Sequence, residues 1–392
     1  MRSAICFLFV ALVATPSVRA GQEPSAPLSA SAEQLKAAID KLGDLDYDTR
    51  TNASRTIRRA AASAVVPALL QAIDEHADGY VRYRALVLLT GFNDPRTKQL
   101  MRSSITSTND RLRTVAFSFF EHNTDPAMAS DFLAALEKEQ GEFVRPALVR
   151  ALAAIAGSDE AVRNTLVGQV PRGEDFFRSV VIEALGDYRA QYAYDAVTAV
   201  ANLDGPLQDD AALALGKMGD KRALETLAAL QRSAPRERQP TIAGAICLLG
   251  VNCGPHHGYL VEALTFSDKN AGYQELLRSA AAALGALAVA GHQEAAAALF
   301  TVGIPSQDPT RAPVALALAT IALRSTPLMM TTLERLPDRA AALDLVAEGF
   351  DMLEEDLEKE RFFAAIRHEY WDAAEGSPRR ALMQTLIEKL DF

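Results

Sequence analysis

Asp78-Gly79-Tyr80-Val81-Arg82-Tyr83-Arg84-Ala85-Leu86-Val87-Leu88-Leu89-Thr90-Gly91-Phe92-Asn93-Asp94-Pro95 is the stretch whose reading decides the fold. An acidic residue opens a helix, a hydrophobic-Arg pair follows within four positions, and an apolar helical stripe comes next. Gly, Asn and Asp-Pro close the unit. The same wording recurs at Asp110-Arg111-Leu112-Arg113, Glu142-Phe143-Val144-Arg145 and Asp175-Phe176-Phe177-Arg178, with an earlier echo from Asp46 to Arg50. Arg50, Arg82, Arg113, Arg145 and Arg178 therefore stand 32, 31, 32 and 33 residues apart. That period holds two helices and two turns, and it predicts a helical solenoid in which each helix pair buries its apolar stripe only against its neighbours.

Outward from this stretch the units continue in both directions. Ser31-Ala32-Glu33-Gln34 spells a capping box, and Leu35, Ala38, Ile39 and Leu42 follow on one helical face before Gly43. Beyond Arg178 the arginine fades, its equivalent falling near Asp209 or Asp210. Ala184-Leu185-Gly186, Ala214-Leu215-Gly216, Leu248-Leu249-Gly250 and Ala283-Leu284-Gly285 take over as landmarks, with glycines 30, 34 and 35 apart. Glycine suits a point where one helix packs close on the next or ends in a left-handed turn. The repeat is expected to reach about residue 336. The tail departs from it: one helix over 338–357, a second over 358–374 with Phe362, Phe363, Ile366, Tyr370 and Trp371 on its apolar side, and a last one opened by Ser377-Pro378. Such an aromatic-rich unit fits a cap over the open end of the stack, and its rival reading is a docking patch around Trp371.

The Asp-x-x-Val-Arg-x-x-Ala opening and the Ala-Leu-Gly ending resemble the HEAT repeat family, in particular the short repeats of phycobilisome lyases. The resemblance covers roughly residues 44–336. It implies an all-α, α-α superhelix whose concave face, lined by one helix of each pair, binds proteins or peptides. A minority of relatives attach or remove bilin chromophores, but no residue here carries that chemistry.

The chain begins Met1-Arg2-Ser3 and then runs uncharged from Ala4 to Ala14, with Thr15-Pro16-Ser17 and Val18-Arg19-Ala20 after it. This pattern predicts a secretory signal peptide over 1–20, cleaved after Ala20, with too short an apolar part for a membrane span. Residues 21–30 have a linker's composition. The expectation is a periplasmic or secreted protein with no integral membrane segment after cleavage. Removing Arg2 and Arg19 takes the formal charge from −10 to −12, and an acidic chain repels phosphate backbones, so nucleic acid is a poor partner. Only Cys247 and Cys253 would remain of three cysteines, so the fold must be held by helix burial, for which 49% hydrophobic residues suffice. Almost no segment alternates with period two, so strands are not expected.

Two constellations stand out. The ladder Arg50, Arg82, Arg113, Arg145 and Arg178 has a structural reading, in which each arginine pairs with an acid such as Asp110, Glu142 or Asp175 three or four residues earlier, or with the next repeat. The other reading is an anion-binding stripe. Cys247 and Cys253 lie six residues apart, ahead of His256 and His257 in a Gly- and Pro-rich turn. A disulfide between the cysteines is the leading expectation, with a zinc or copper site that includes His256 and His257, or inert turn residues, as alternatives. No Gly-x-Ser-x-Gly elbow, phosphate-cradling loop or His-Glu-x-x-His is present, so no catalytic residue and no cofactor is expected. The sequence thus predicts a solenoid over 31–336 and a helical cap over 337–392. Its expected role is a scaffold binding a protein or peptide on the concave face; the alternative is an enzyme or metal-binding protein, chromophore-lyase-like or built on residues 247–257.

Overall fold

The structure, a computed structural model, describes residues 30–353 and 356–392; the signal peptide and linker expected over 1–29 lie outside the described residues, as do Glu354 and Glu355. The described residues form 22 α-helices joined by short turns, without a strand. The fold is the all-α superhelix the periodicity predicts. It starts at Ala32–Asp40, where the Ser31 hydroxyl accepts from the Gln34 amide and the Gln34 side chain accepts from the Ser31 amide.

The first twenty helices pair into ten units. One member of each pair forms a continuous layer: Tyr47–Arg59, Gly79–Thr90, Asp110–His122, Val144–Ile155, Asp175–Asp187, Gln208–Met218, Gln239–Leu248, Gln274–Val289, Arg311–Arg324 and Arg339–Met352. Each of these packs directly on the next. Their partners, from Ala32–Asp40 and Ala62–Glu75 to Gln293–Gly303 and Thr326–Arg335, form a second layer in looser mutual contact. Arg339–Met352, expected in the cap, thus continues the repeat layer, stacking on Arg311–Arg324.

Small residues explain why the first layer is tight. A Cβ added to Gly186 would lie 2.8 Å from the Ala214 Cα, and one on Gly216 would lie 2.6 Å from the Ala245 Cα. Gly349 is tighter still: its Cβ would meet the Ala315 carbonyl at 2.1 Å. Backbone touches backbone at these points, so successive helices of this layer approach more closely than their bulkier partners. A stack compressed along one layer curves toward it. Of the other Ala-Leu-Gly landmarks, Gly250 instead takes a left-handed φ of 74° at a helix end.

The curvature runs to closure. The helix Asp356–Asp372 packs against Arg311–Arg324 near one end of the stack and against Gly79–Thr90 and Asp110–His122 near the other. Elements that surround it from both ends must be the inner layer. The buried side chains say the same: Leu357 joins the apolar cluster that spans Leu35 to Leu249, whereas Phe362, Phe363 and Ile366 of the same helix join the cluster that ends at Phe392. Pro378–Lys389 completes the tail, with Ser377 capping through the Arg380 amide. The tail is more than an end cap, because it joins the last repeats to the first.

Candidate interaction surface

The ladder arginines sit at the starts of inner helices and are spent on structure. Arg82 Nε donates to the Ile73 carbonyl at 2.7 Å, Arg178 Nε to Val170 at 3.0 Å, and Arg50 to Asp44 and Leu45 at 2.7 and 2.9 Å. Arg113 donates to the Ser107 carbonyl at 2.9 Å and grips Glu139 with two bonds of 2.7 and 3.0 Å. Arg145 lies 3.7 Å over the Phe177 ring of the next repeat. Each guanidinium but that of Arg145 meets carbonyls at or just after the end of the preceding helix, where the helix dipole is negative and carbonyls lack partners. The expected pairing with an acid three residues earlier occurs at Arg178–Asp175, 2.8 Å. Asp110 and Asp175 lie one residue inside their helices; the cap before Arg111 is Asn109, and Glu142 precedes its helix altogether.

The ladder also continues in residues that the sequence reading passed over. Gln208 Nε2 donates to the Ala201 carbonyl at 3.0 Å, and Gln239 Nε2 to Gln231 and Ala234 at 2.9 and 2.7 Å. Arg311, four repeat lengths beyond Arg178, donates to Gly303 and Ile304 and holds Glu348 with two bonds of 2.6 and 2.8 Å. A neutral amide thus replaces the guanidinium where the arginine fades. The position is Gln208, next to the Asp209 or Asp210 expected from spacing.

With the arginines turned inward, the residue two places before Arg113, Arg145 and Arg178 is exposed, and the corresponding one before Arg82 is half-buried. These are Tyr80, Arg111, Phe143 and Phe176 in four successive repeats. Phe143 is 77% exposed and Phe176 56%. The Arg111 guanidinium stacks 5.3 Å from the Tyr80 ring and 5.6 Å from that of Tyr83. Exposed acids accompany them at Asp110, Glu142, Glu174 and Asp175. One rim of the molecule therefore carries two exposed phenyl rings in successive repeats, each flanked by carboxylates. Trp371, 49% exposed, is less available: its ring lies 5.1 Å from Tyr370 and 5.6 Å from the Arg380 guanidinium.

The concave face over the first repeats is already taken. Glu360, fully buried, accepts from Arg58 Nε at 2.7 Å and lies 3.5 Å from Arg367, which itself donates to the Arg58 carbonyl at 3.0 Å. Asp356 pairs with Arg84 at 2.7 Å and accepts from the Tyr83 hydroxyl. Glu358 meets His122 Nε2 and Arg361, both at 2.6 Å. Burial alone would raise the Glu358 pKa, but the His122 hydrogen bond and the charges of His122, Arg324 and Arg361 outweigh it and hold the carboxyl at about 2. The chain's end completes the seam: Arg59 donates to the Phe392 carbonyl at 3.1 Å, and Arg55 pairs with Asp391. A cleft of about 480 Å³ opens beside it, and of its charged walls Arg58, Arg84 and Asp356 are paired as described.

Across the ring, Glu121 accepts from Arg150 at 2.8 Å and from the Tyr188 hydroxyl at 3.0 Å, with Arg324 of a distant repeat 3.8 Å away. Asp187 takes Arg150 and Lys217 at 3.1 and 2.7 Å. Donor atoms of Glu121, His122 and Glu358 lie within 4.8 Å of one another, as a metal site's would. Arg150, Arg324 and Arg361 already balance these carboxylates, and a cation would meet their repulsion. The trio acts as an interlock.

At the turn after Gln239–Leu248, Cys247 and Cys253 face each other as a bonded pair with Cα atoms 4.2 Å apart. The histidine beside them is His292 of the following repeat, whose Nδ1 is 3.9 Å from Cys253 Sγ. His256 and His257, the ligands considered from sequence, are outside that group.

Fold and surface together define a helical-repeat solenoid closed on itself by its own C-terminal helices. Residues 35–119 match the family model described as HEAT repeats. Among solved structures, the chain is similar to the complex of CpcE and CpcF of phycocyanin lyase from Nostoc sp. PCC7120, at 18% identity and a TM-score of 0.42 over 67% of this chain and 97% of that one. It is similar to importin beta at 15% identity and a TM-score of 0.38, over 91% of this chain and 61% of that one. An engineered protein matches at 16% identity and a TM-score of 0.27, over 91% and 99%. A comparison with curated protein sequences found no match.

Proposed function

We propose that this protein is an exported HEAT-repeat scaffold that binds a basic segment of a protein partner along the rim of Tyr80, Arg111, Phe143 and Phe176. The observation that carries the reading is the exposure of two large aromatic rings, Phe143 and Phe176, at the same position of successive repeats, flanked by carboxylates. Exposed aromatics in a row cost hydration free energy and mark contact surfaces. Carboxylates beside aromatic faces suit arginine or lysine, which pair with the acid and stack on the ring. The concave face over the first repeats holds the chain's own helix Asp356–Asp372, so a partner reaches the rim first. Export rests on the apolar run after Met1-Arg2-Ser3.

The test places a photo-crosslinking residue at Phe143 or Phe176 and, as control, at Val289, which is 38% exposed at the opposite, C-terminal end of an inner helix. One stoichiometric adduct from the rim positions alone is expected. With the crosslinker at the neighbouring Glu142 instead, the adduct should be lost in Phe143→Ala/Phe176→Ala with helicity unchanged, and weaken as salt rises. Equal adducts at Val289, or binding that survives the double substitution, overturns the reading.

A further inference from the structure

Cys247 lies in the last turn of the inner helix Gln239–Leu248, and Cys253 begins the outer helix Cys253–Lys269. Between them the chain doubles back through two left-handed residues, Gly250 at φ 74° and Asn252 at φ 47°. His292 comes from the turn before the next outer helix, Gln293–Gly303. Its approach brings one ligand atom of each of the three residues within 4.8 Å of the others. Cys247 is buried, and Cys253 and His292 are partly open to solvent. Glu294 Oε1 stands 3.4 Å from the same His292 Nδ1. His257, one turn along the helix from Cys253, keeps its Nε2 buried without a hydrogen-bond partner.

We propose that, with both cysteines reduced, Cys247, Cys253 and His292 form a binding site for one zinc ion. Two thiolates and an imidazole are the donor set this ion prefers, and Glu294, His257 or water completes four-fold coordination. A tetrahedral ion about 2.3 Å from sulfur and about 2.0 Å from nitrogen holds those atoms roughly 3.5 Å apart. The 3.9 Å between Cys253 Sγ and His292 Nδ1 is close to that separation. Cys253 stands at the first position of a 17-residue helix, where the dipole favours thiolate. Binding releases the two thiol protons to solvent. In the disulfide the sulfurs are bonded to each other and offer no thiolate, so oxidation and zinc exclude one another. The location gives the ion a mechanical role. Cys247 lies in the last turn of one inner helix and His292 precedes a later outer helix, so an ion held by both ties these helix pairs together.

The test uses the full chain, reduced with a phosphine, loaded with Zn²⁺ and desalted before metal analysis. About one zinc per chain is expected in the parent and in His256→Ala, and at least about a tenfold loss of affinity in His292→Ala and Cys253→Ser. Chain oxidised with diamide should bind none. Should Cys253→Ser fail to fold, Co²⁺ in the parent chain still reports: a thiolate-to-cobalt charge-transfer band is expected, weakened in His292→Ala. Less than about a tenth of an equivalent of zinc in the reduced parent overturns the proposal. So does undiminished binding in His292→Ala or in the oxidised chain.

Discussion

Single residues on the seam hold the ring shut, and Gly91 shows how little room they leave. A Cβ there would lie 2.6 Å from Glu360 Oε1 and 3.1 Å from Arg367 Nη2. The carboxylate cannot step aside into water, because it is buried against Arg58. Gly91→Ala is therefore expected to cost about 1–3 kcal/mol in denaturant unfolding. Glu360→Ala should cost more, about 3–5 kcal/mol, since it leaves Arg58 and Arg367 as buried charges with no counter-charge. Glu358 makes the seam sensitive to acid. Its folded pKa of about 2 lies below the ordinary 4.5. A depressed carboxylate stabilises fully above its unfolded pKa and loses that contribution as pH falls toward the folded one. The parent should thus exceed Glu358→Gln in stability at pH 7 by on the order of 3 kcal/mol. The gap should narrow from about pH 4.5 downward; a gap independent of pH down to 3 would remove Glu358 from the latch.

At the scale of the element, the recurring unit is a helix end capped by the first turn of the next helix. Arginine performs this at Arg82, Arg178 and Arg311, and glutamine does so at Gln208 and Gln239. Guanidinium adds charge against the dipole and a fork that reaches several oxygens; the amide supplies hydrogen bonds alone. Arg311→Ala, which also releases Glu348, should lower stability by about 1–3 kcal/mol, and Gln239→Ala by about 1 kcal/mol. Thermal midpoints of the two variants check the order. If Gln239→Ala costs as much as Arg311→Ala, charge contributes nothing to the cap.

At the scale of the molecule, closure sets which surface is available. The tail inserts three carboxylates, Asp356, Glu358 and Glu360, among Arg84, His122 and Arg58 of the first repeats. Neutralising all three together, as Asp356→Asn/Glu358→Gln/Glu360→Gln, should release the helix and let the superhelix open. The expected result is a larger radius of gyration in small-angle scattering with helicity retained, and faster hydrogen exchange in the inner helices Gly79–Thr90 and Asp110–His122. An unchanged radius would assign closure to the apolar contacts of Leu357 and Phe363 instead.

The sequence by itself determined the unit and its repetition. Most pairs reuse one cap on the carbonyls of the preceding helix, and all need the same apolar stripe, so Arg50, Arg82, Arg113, Arg145 and Arg178 recur at a steady interval, and Gly186 and Gly216 mark the close inner contacts. The exposed partners of those arginines, Phe143 and Phe176, stood in the same motif, but only their solvent exposure separates them from buried Phe177. Tertiary structure alone decided the closure: Arg58 and Glu360 are 302 residues apart in the chain, and His122 and Glu358 are 236 apart. It also decided that His292, 39 residues from Cys253, and not His256 stands beside the cysteines. The physical reason is that periodicity records what each pair buries against its neighbours, whereas curvature sums small rotations over ten pairs and no single residue encodes the total.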